Sequence, residues 1–183
     1  MTLEAFLDWE SRQPVKYEFD GFAPVAMTGV TLEHAIIQAN PLRHLGARLD
    51  GSRCRAVGSD LKIQVAGSIR YPGALVVCSP LPRGTTVVSD PVVMFEILSP
   101  SRAETDVTEK NREYRDTASV QRYVILERSH QAAIVFERRD GDWLGYLLAG
   151  DAVLTVPEIG VELPLASLYQ GVELPALPAA EPA

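Results

Sequence analysis

Two nearly continuous apolar runs constrain the fold of this chain more than any other feature. They are "ALVVC" (74–78) and "VVMFEIL" (92–98), and a polar loop (80–91) separates them. Strands that face solvent on one side alternate apolar and polar residues, whereas strands covered on both faces do not. The two runs therefore predict central strands of a sheet that other elements cover on both sides.

The rest of the pattern supplies those covering elements and further strands. Thr2 and Thr31 are good caps for a first and a second helix. In the second helix, Pro41 predicts a kink near Asn40, and Gly51 is a plausible stop. The apolar residues predicted to form the face of this helix are Leu32, Ala35, Ile36, Ala39, Leu42, Leu45 and Leu49.

A third helix is predicted over about 104–117, and strands over "DLKIQV" (60–65) and "RYVILE" (122–127). The dipeptides Asp20-Gly21 and Asp140-Gly141 are hairpin turn signals. Together the elements predict one α/β or α+β domain over residues 1–171, with a central mixed β-sheet flanked by helices and a C-terminal β-hairpin. Residues 172–183 are rich in Pro, Ala and Glu and are predicted to form a flexible tail.

Composition limits the classes of function. The chain has 183 residues, a net charge of −7 and a pI near 5.0, which disfavours strong non-specific nucleic-acid binding but leaves room for a local basic groove. No apolar run is long enough to span a bilayer, and the N-terminus does not resemble a signal peptide, so a cytoplasmic location is expected. Cys54 and Cys78 are expected to be two buried free thiols in a reducing compartment.

Glu96 is the strongest candidate for a functional residue. It lies inside the run "VVMFEIL", where a charged side chain is costly to bury unless it is paired or bound to a cation. A structural alternative is that Glu96 lies at an exposed strand end or pairs with an arginine. Because buried ionisable groups concentrate at functional sites, we favour a functional carboxylate.

Other charged residues could join Glu96. Asp106, Lys110 and Tyr114 follow helical spacing and would share one face, from which Lys110 could reach Glu96. Glu18 in "KYEFDG" and the D-x-K pair of Asp60 and Lys62 are further candidates, although each also suits an ordinary surface position. Several carboxylates and a lysine around one sheet would suit a Mg²⁺ site for phosphodiester hydrolysis.

In the order and residues of its motifs the chain resembles the Uma family, bacterial proteins described as "putative restriction endonucleases" of the PD-(D/E)XK nuclease superfamily. The segments that carry the resemblance extend from about residue 2 to 173, and the most specific are "KYEFDG", "RYPGALVVC", "FEILSPS" and "DVTEKNREYRD". The resemblance implies a restriction-endonuclease-like fold and Mg²⁺ or Mn²⁺ as the cofactor. It also implies nucleic acid, DNA more than RNA, as the partner.

The resemblance also implies roles for individual residues. Glu96 and Glu18 would be metal ligands and catalytic residues, and Lys110 would substitute for the lysine that the superfamily has at the position of Leu98. Position 73 matches the aspartate of the family's "Y-P-D" motif, which is the central metal ligand, but this chain has Gly73. Asp60 would have to supply the missing carboxylate, or the protein would be impaired.

Three hypotheses follow. The chain is a Mg²⁺-dependent endonuclease-like protein that is impaired at Gly73, or a non-catalytic binding or regulatory module that retains the fold. Alternatively it is mainly a structural homo-oligomer subunit that pairs through "VELPLASLYQGVELP", a segment that could equally cover the protein's own core. A homodimer is the expected assembly, since dimers are the commonest one.

Overall fold

The computed structural model describes residues 1–98 and 105–174, with only the backbone for 105–107. These residues form three α-helices: α1 (Leu3–Glu10), α2 (Leu32–Arg48) and α3 (Asn111–Asp116). A π-helical segment (Thr105–Lys110) leads directly into α3, and 3₁₀ turns occur at Pro157–Ile159 and Leu165–Tyr169. None of the helices in the described part of the chain has the length and apolar character that crossing a bilayer requires.

The described residues form thirteen strands. They are β1 (Tyr17–Phe19), β2 (Pro24–Ala26), β3 (Arg55–Gly58), β4 (Lys62–Val65), β5 (Ser68–Arg70), β6 (Ala74–Val77), β7 (Val87–Val88), β8 (Val93–Ile97), β9 (Arg122–Leu126), β10 (Ala132–Arg139), β11 (Asp142–Ala149), β12 (Val153–Val156) and β13 (Val161–Pro164).

The strands are arranged in two mixed sheets and a separate hairpin. The larger sheet has the order β11-β10-β9-β8-β6-β3, the smaller one β2-β1-β5-β4-β7, and β12 pairs with β13. In the larger sheet β8 and β9 are parallel and the other neighbours are antiparallel. The predicted single mixed sheet is therefore divided, and "DLKIQV" belongs to the smaller sheet.

The two apolar runs form central strands, as predicted. On one face of β6 and β8, residues such as Val76 and Phe95 pack with α2 and the β12–β13 hairpin. On the other face, Leu75 and Met94 pack with residues of β4 and with Tyr114 of α3. Cover on both faces explains why neither run alternates.

The predicted caps and turns are confirmed. The Thr2 and Thr31 hydroxyls accept hydrogen bonds from Ala5 N and His34 N at the starts of α1 and α2. Asp140 and Gly141 have φ of 51° and 91°, the positive angles that a two-residue hairpin turn between β10 and β11 requires.

The predicted face of α2 is partly wrong. Its buried residues are Ile37, Asn40, Pro41 and Leu45, whereas Leu32 is exposed. The helix extends through Pro41 to Arg48, and its last turns pack on the larger sheet. Near its start, Leu32 and Ala35 are exposed and Ile36 is half-buried, so the buried face begins at Ile37.

The prediction of two free thiols is wrong. Cys54 directly precedes β3 and Cys78 directly follows β6, and the antiparallel register, with Arg55 opposite Val77, brings the two cysteines together. They form a disulfide bond. The pairing of β3 with β6, which the sequence pattern does not specify, is what makes the bond possible.

The third helix is only partly as predicted, because its first part is π-helical; position 104 lies outside the described residues. In the predicted tail, Val172 and Leu174 pack against the core, and residues 175–183 lie outside the described part of the chain.

Candidate active site

A cleft of about 840 Å³ lies where the two sheets, the start of α2 and the π-helical segment meet. Its walls include the carboxylates Glu10, Glu18 and Glu96 together with Lys110 and Gly73. These side chains come from α1, β1, β8, the π-helical segment and the approach to β6. The cleft therefore depends on long-range packing, and no single local motif encloses it.

Glu96 points to the same face of β8 as Met94 and is almost fully buried. This burial excludes the alternative that Glu96 lies at an exposed end of the strand. Among the described residues it pairs with a lysine: Lys110 Nζ lies 2.9 Å from Glu96 Oε1. Tyr114, four residues after Lys110, donates its hydroxyl to the same oxygen at 3.1 Å. Lys110 and Tyr114 thus share one helical side, as predicted; the side chain of Asp106 lies outside the described residues.

Glu18 is the second buried carboxylate at Lys110. Its Oε1 lies 3.6 Å from Lys110 Nζ and also accepts the Tyr71 backbone N–H at 3.2 Å. Lys110 therefore contacts two acidic side chains that come from different sheets. Burial of like charges is tolerated only where an opposite charge compensates them, and Lys110 provides it here.

Arg70 and Glu113 form a second ion pair behind these groups. Arg70 Nε and Nη2 donate to the two Glu113 oxygens at 2.7 and 2.6 Å, and Ser68 Oγ donates at 2.8 Å. Burial alone would lower the pKa of Arg70, but its hydrogen bonds to Glu113 raise it above the ordinary value. Arg70 Nη1 also lies 3.5 Å from Glu18 Oε2, so this pair connects α3 to the cleft.

Tyr114 is buried completely, and its environment fixes its protonation. Burial and the nearby charge of Glu96 raise the pKa of Tyr114 well above its ordinary value. The hydroxyl therefore remains protonated at neutral pH and serves as a donor to Glu96.

Glu10 forms a further cluster on the cleft wall. Lys62 Nζ lies 2.5 Å from Glu10 Oε2, and Tyr71 donates its hydroxyl to Oε1 at 2.8 Å. Burial alone would raise the pKa of Glu10, but the hydrogen bonds from Lys62 and Tyr71 lower it below the ordinary value. Burial and the hydrogen bond to Glu10 raise the pKa of Tyr71.

Gly73 lies on the cleft wall, just before β6. A Cβ atom added there would lie 2.6 Å from Ile97 Cδ1 and 3.1 Å from the carbonyl oxygen of Phe95. The first distance is too short for any real contact, so the Ile97 side chain occupies space that a larger residue at position 73 would need.

Asp60 is placed differently from Glu18 and Glu96. Its side chain is 93% exposed and pairs with Lys16 at the edge of the cleft. Lys62, its expected D-x-K partner, instead binds Glu10. The two residues of this motif therefore have separate partners.

The metal that the family resemblance implies does not fit the described residues well. Magnesium sites use several oxygen ligands, and among the side chains of residues 1–98 and 108–174 no three His, Cys, Asp or Glu groups come together in a way that could hold a metal ion. Glu18 and Glu96 are present, but a third carboxylate is missing at position 73.

Sequence reasoning missed Glu10, Glu113 and Tyr71. Glu113 follows Lys110 by three residues, a spacing that places both on neighbouring positions of a helix, and this was an available signal. Arg70 is a charged residue that ends the short strand "SIR" and is buried. The partners of Glu10 and Tyr71 come from distant segments, so no local pattern indicates them.

Comparison with known proteins supports the interpretation of the fold. A family model named Uma2, described as "Putative restriction endonuclease", matches residues 3–166. An uncharacterised protein of Synechocystis sp. is 30% identical over 175 residues, which cover 93% of this chain and 92% of that protein.

A solved structure shows the same architecture. It is titled as a "putative nuclease belonging to DUF820" from Anabaena variabilis and superposes with a TM-score of 0.77 at 19% identity. The match covers 92% of this chain and 97% of that one. The predicted restriction-endonuclease-like fold is confirmed.

Proposed function

Because the chain belongs to the Uma2 family, described as "Putative restriction endonuclease", we propose that it is an endonuclease-like protein with impaired Mg²⁺-dependent hydrolysis of phosphodiester bonds. The impairment is assigned to Gly73, at the position where the family resemblance leads us to expect a metal-binding aspartate. The remaining site residues are Glu18 and Glu96 as carboxylates and Lys110 as the catalytic lysine.

One observation carries this proposal. Position 73 lacks a carboxylate, and the space for one is filled, since a Cβ there would lie 2.6 Å from Ile97 Cδ1. Metal affinity depends on the number and charge of the ligands, so the loss of one carboxylate from a small set weakens the site. Asp60 is a poor replacement because its side chain is exposed and pairs with Lys16.

The proposed partner is nucleic acid, DNA more than RNA. The net charge of −7 argues against affinity spread over the whole surface, so binding would depend on the cleft and its edge. Basic residues at this cleft include Lys16, Lys110 and Arg128.

Metal titration of a restored site tests the proposal. The variant G73D/I97V supplies the carboxylate and shortens the side chain that fills its place, whereas G73N/I97V has almost the same shape without the charge. Calorimetry with Mn²⁺ should show weak or no binding to the wild type and at least tenfold tighter binding to G73D/I97V. The asparagine control should resemble the wild type.

Equal affinity in the aspartate and asparagine variants would contradict the proposal, because position 73 would then not belong to a metal site. Circular dichroism spectra of both variants would show that each retains the fold.

A non-catalytic binding module is the second candidate, and the buried ion pairs favour it. Lys110 and Arg70 compensate Glu18, Glu96 and Glu113 within the protein itself. Each of these carboxylates therefore has a cationic side chain as a partner and needs no metal ion to compensate its charge. This candidate predicts DNA binding, measured by fluorescence anisotropy in EDTA, by a protein that cleaves no DNA when Mn²⁺ is added.

A further inference from the structure

The structure assigns Lys110 a second role, that of a resident cation: its ammonium group occupies the position between Glu18 and Glu96 that a divalent cation would take. A divalent cation then binds only by displacing Lys110. This inference rests on the proposed function for the assignment of the two carboxylates to the site, but it does not depend on Gly73.

The geometry around Lys110 Nζ is the first support. The ammonium lies 2.9 Å from Glu96 Oε1 and 3.6 Å from Glu18 Oε1, and all three side chains are at least nine-tenths buried. Two buried carboxylates this close to one point cannot both stay ionised without a positive charge between them. Lys110 supplies that charge directly.

The attachment of the helix is the second support. Glu113, three residues after Lys110, is held by two hydrogen bonds from Arg70 and one from Ser68. Tyr114 adds its own hydrogen bond to Glu96. Because both residues fix α3 at its start, Lys110 is held in place by the fold and not only by its own ion pairs.

Arg70 cannot take over this role. Two of its nitrogens bind Glu113, and the third lies 3.5 Å from Glu18 Oε2. No ion pair between Arg70 and Glu96 occurs among the described residues. Among the described residues, Lys110 is the cationic side chain that contacts both Glu18 and Glu96.

A simple consequence distinguishes a resident cation from a lysine that serves catalysis alone. Removing the charge of Lys110 should strengthen the binding of divalent cations, because two carboxylates then lose the cation that competes for them. A lysine that stands beside the metal and serves hydrolysis alone repels the metal without occupying its place, so its removal would strengthen metal binding by much less than the tenfold gain expected here.

The test is Mn²⁺ titration of K110M, followed by the electron paramagnetic resonance signal of free Mn²⁺. We expect at least tenfold tighter binding than in the wild type, and loss of this gain in K110M/E96Q. The matched control is K62M, which also removes a lysine, half-buried in this case, from a carboxylate at this cleft. Among the described residues Lys62 pairs with one buried glutamate, Glu10, so K62M should show no gain.

Thermal unfolding keeps the inference testable if K110M is unstable. Mn²⁺ should raise the Tm of K110M by several degrees and leave that of the wild type and K62M unchanged. If K110M is folded and binds Mn²⁺ no better than the wild type, or stays unfolded at millimolar Mn²⁺, the inference is overturned. If K110M shows no gain in Mn²⁺ affinity but G73D/I97V does, the proposed function stays intact and only the role of Lys110 is overturned. If K110M shows the gain and G73D/I97V does not, only the role given to Gly73 is overturned.

Discussion

Glycine at position 73 supplies no metal ligand, and it also leaves space that a neighbouring side chain occupies. Ile97 Cδ1 fills the space where the first side-chain atom would lie. Restoring the carboxylate alone therefore requires a shift in the core, and for this reason the restored site includes I97V.

Several site residues were predictable one at a time because each breaks its local pattern. Glu96 is a charged residue inside an apolar strand, and Gly73 replaces the aspartate of the family's "Y-P-D" motif. Glu113 is as deeply buried as Glu96 but lies on a polar helix, where a glutamate is unremarkable in sequence. Its role becomes visible only in the folded chain, where Arg70 donates hydrogen bonds to both oxygens of Glu113.

The Arg70–Glu113 pair leads to a prediction about stability. E113Q removes the charge that Arg70 needs while keeping the size of the side chain. Because Arg70 then keeps only its longer 3.5 Å contact with Glu18 among the described carboxylates, most of the compensation of its buried charge is lost, and we expect the free energy of unfolding to fall by about 3–5 kcal/mol. Urea denaturation measures this change.

The control for E113Q is D8N, which breaks the exposed pair of Asp8 with Arg12 on α1. Exposed pairs contribute about 0–1 kcal/mol, so D8N should change little. A similar small loss in both variants would show that Arg70 and Glu113 do not anchor α3.

Among the secondary structure elements, the helix that carries Lys110 differs most from its prediction. The sequence predicts one α-helix, whereas residues Thr105–Lys110 are π-helical and α3 starts at Asn111. π-Helical turns are often found at functional sites. Helical periodicity in the sequence cannot distinguish a π-helix from an α-helix here, because Lys110 and Tyr114, four residues apart, lie on one side of the helix in either case.

Strands β3 and β6 give a prediction at the level of elements. The Cys54–Cys78 disulfide closes a segment with a sequence separation of 24, which restricts the unfolded chain. Reduction should lower the free energy of unfolding by about 3 kcal/mol. Urea denaturation with and without a reducing agent measures this effect.

The control for reduction is C54A/C78A, which should be less stable than the oxidised wild type and insensitive to the reducing agent. Mass spectrometry of the non-reduced protein should show a mass two hydrogens below that of the reduced form. Two free thiols in protein purified under oxidising conditions would contradict the disulfide.

For the whole molecule, the sequence predicted the class of fold better than the arrangement of its sheets. Apolar runs identify β6 and β8 as central, because burial on both faces leaves a local trace. The division into two sheets depends on the pairing of short strands such as β5 and β7, whose few residues carry little pattern. The cleft lies between these sheets, so its full set of residues could not be predicted.

We propose that this chain retains a restriction-endonuclease-like fold but lacks the ligand set for metal-dependent hydrolysis. Cleavage of supercoiled plasmid DNA by the wild type with Mn²⁺ or Mg²⁺, with E96Q as the control, tests this proposal. We expect the plasmid to stay as intact as in EDTA. Metal-dependent cleavage by the wild type that disappears in E96Q would contradict it.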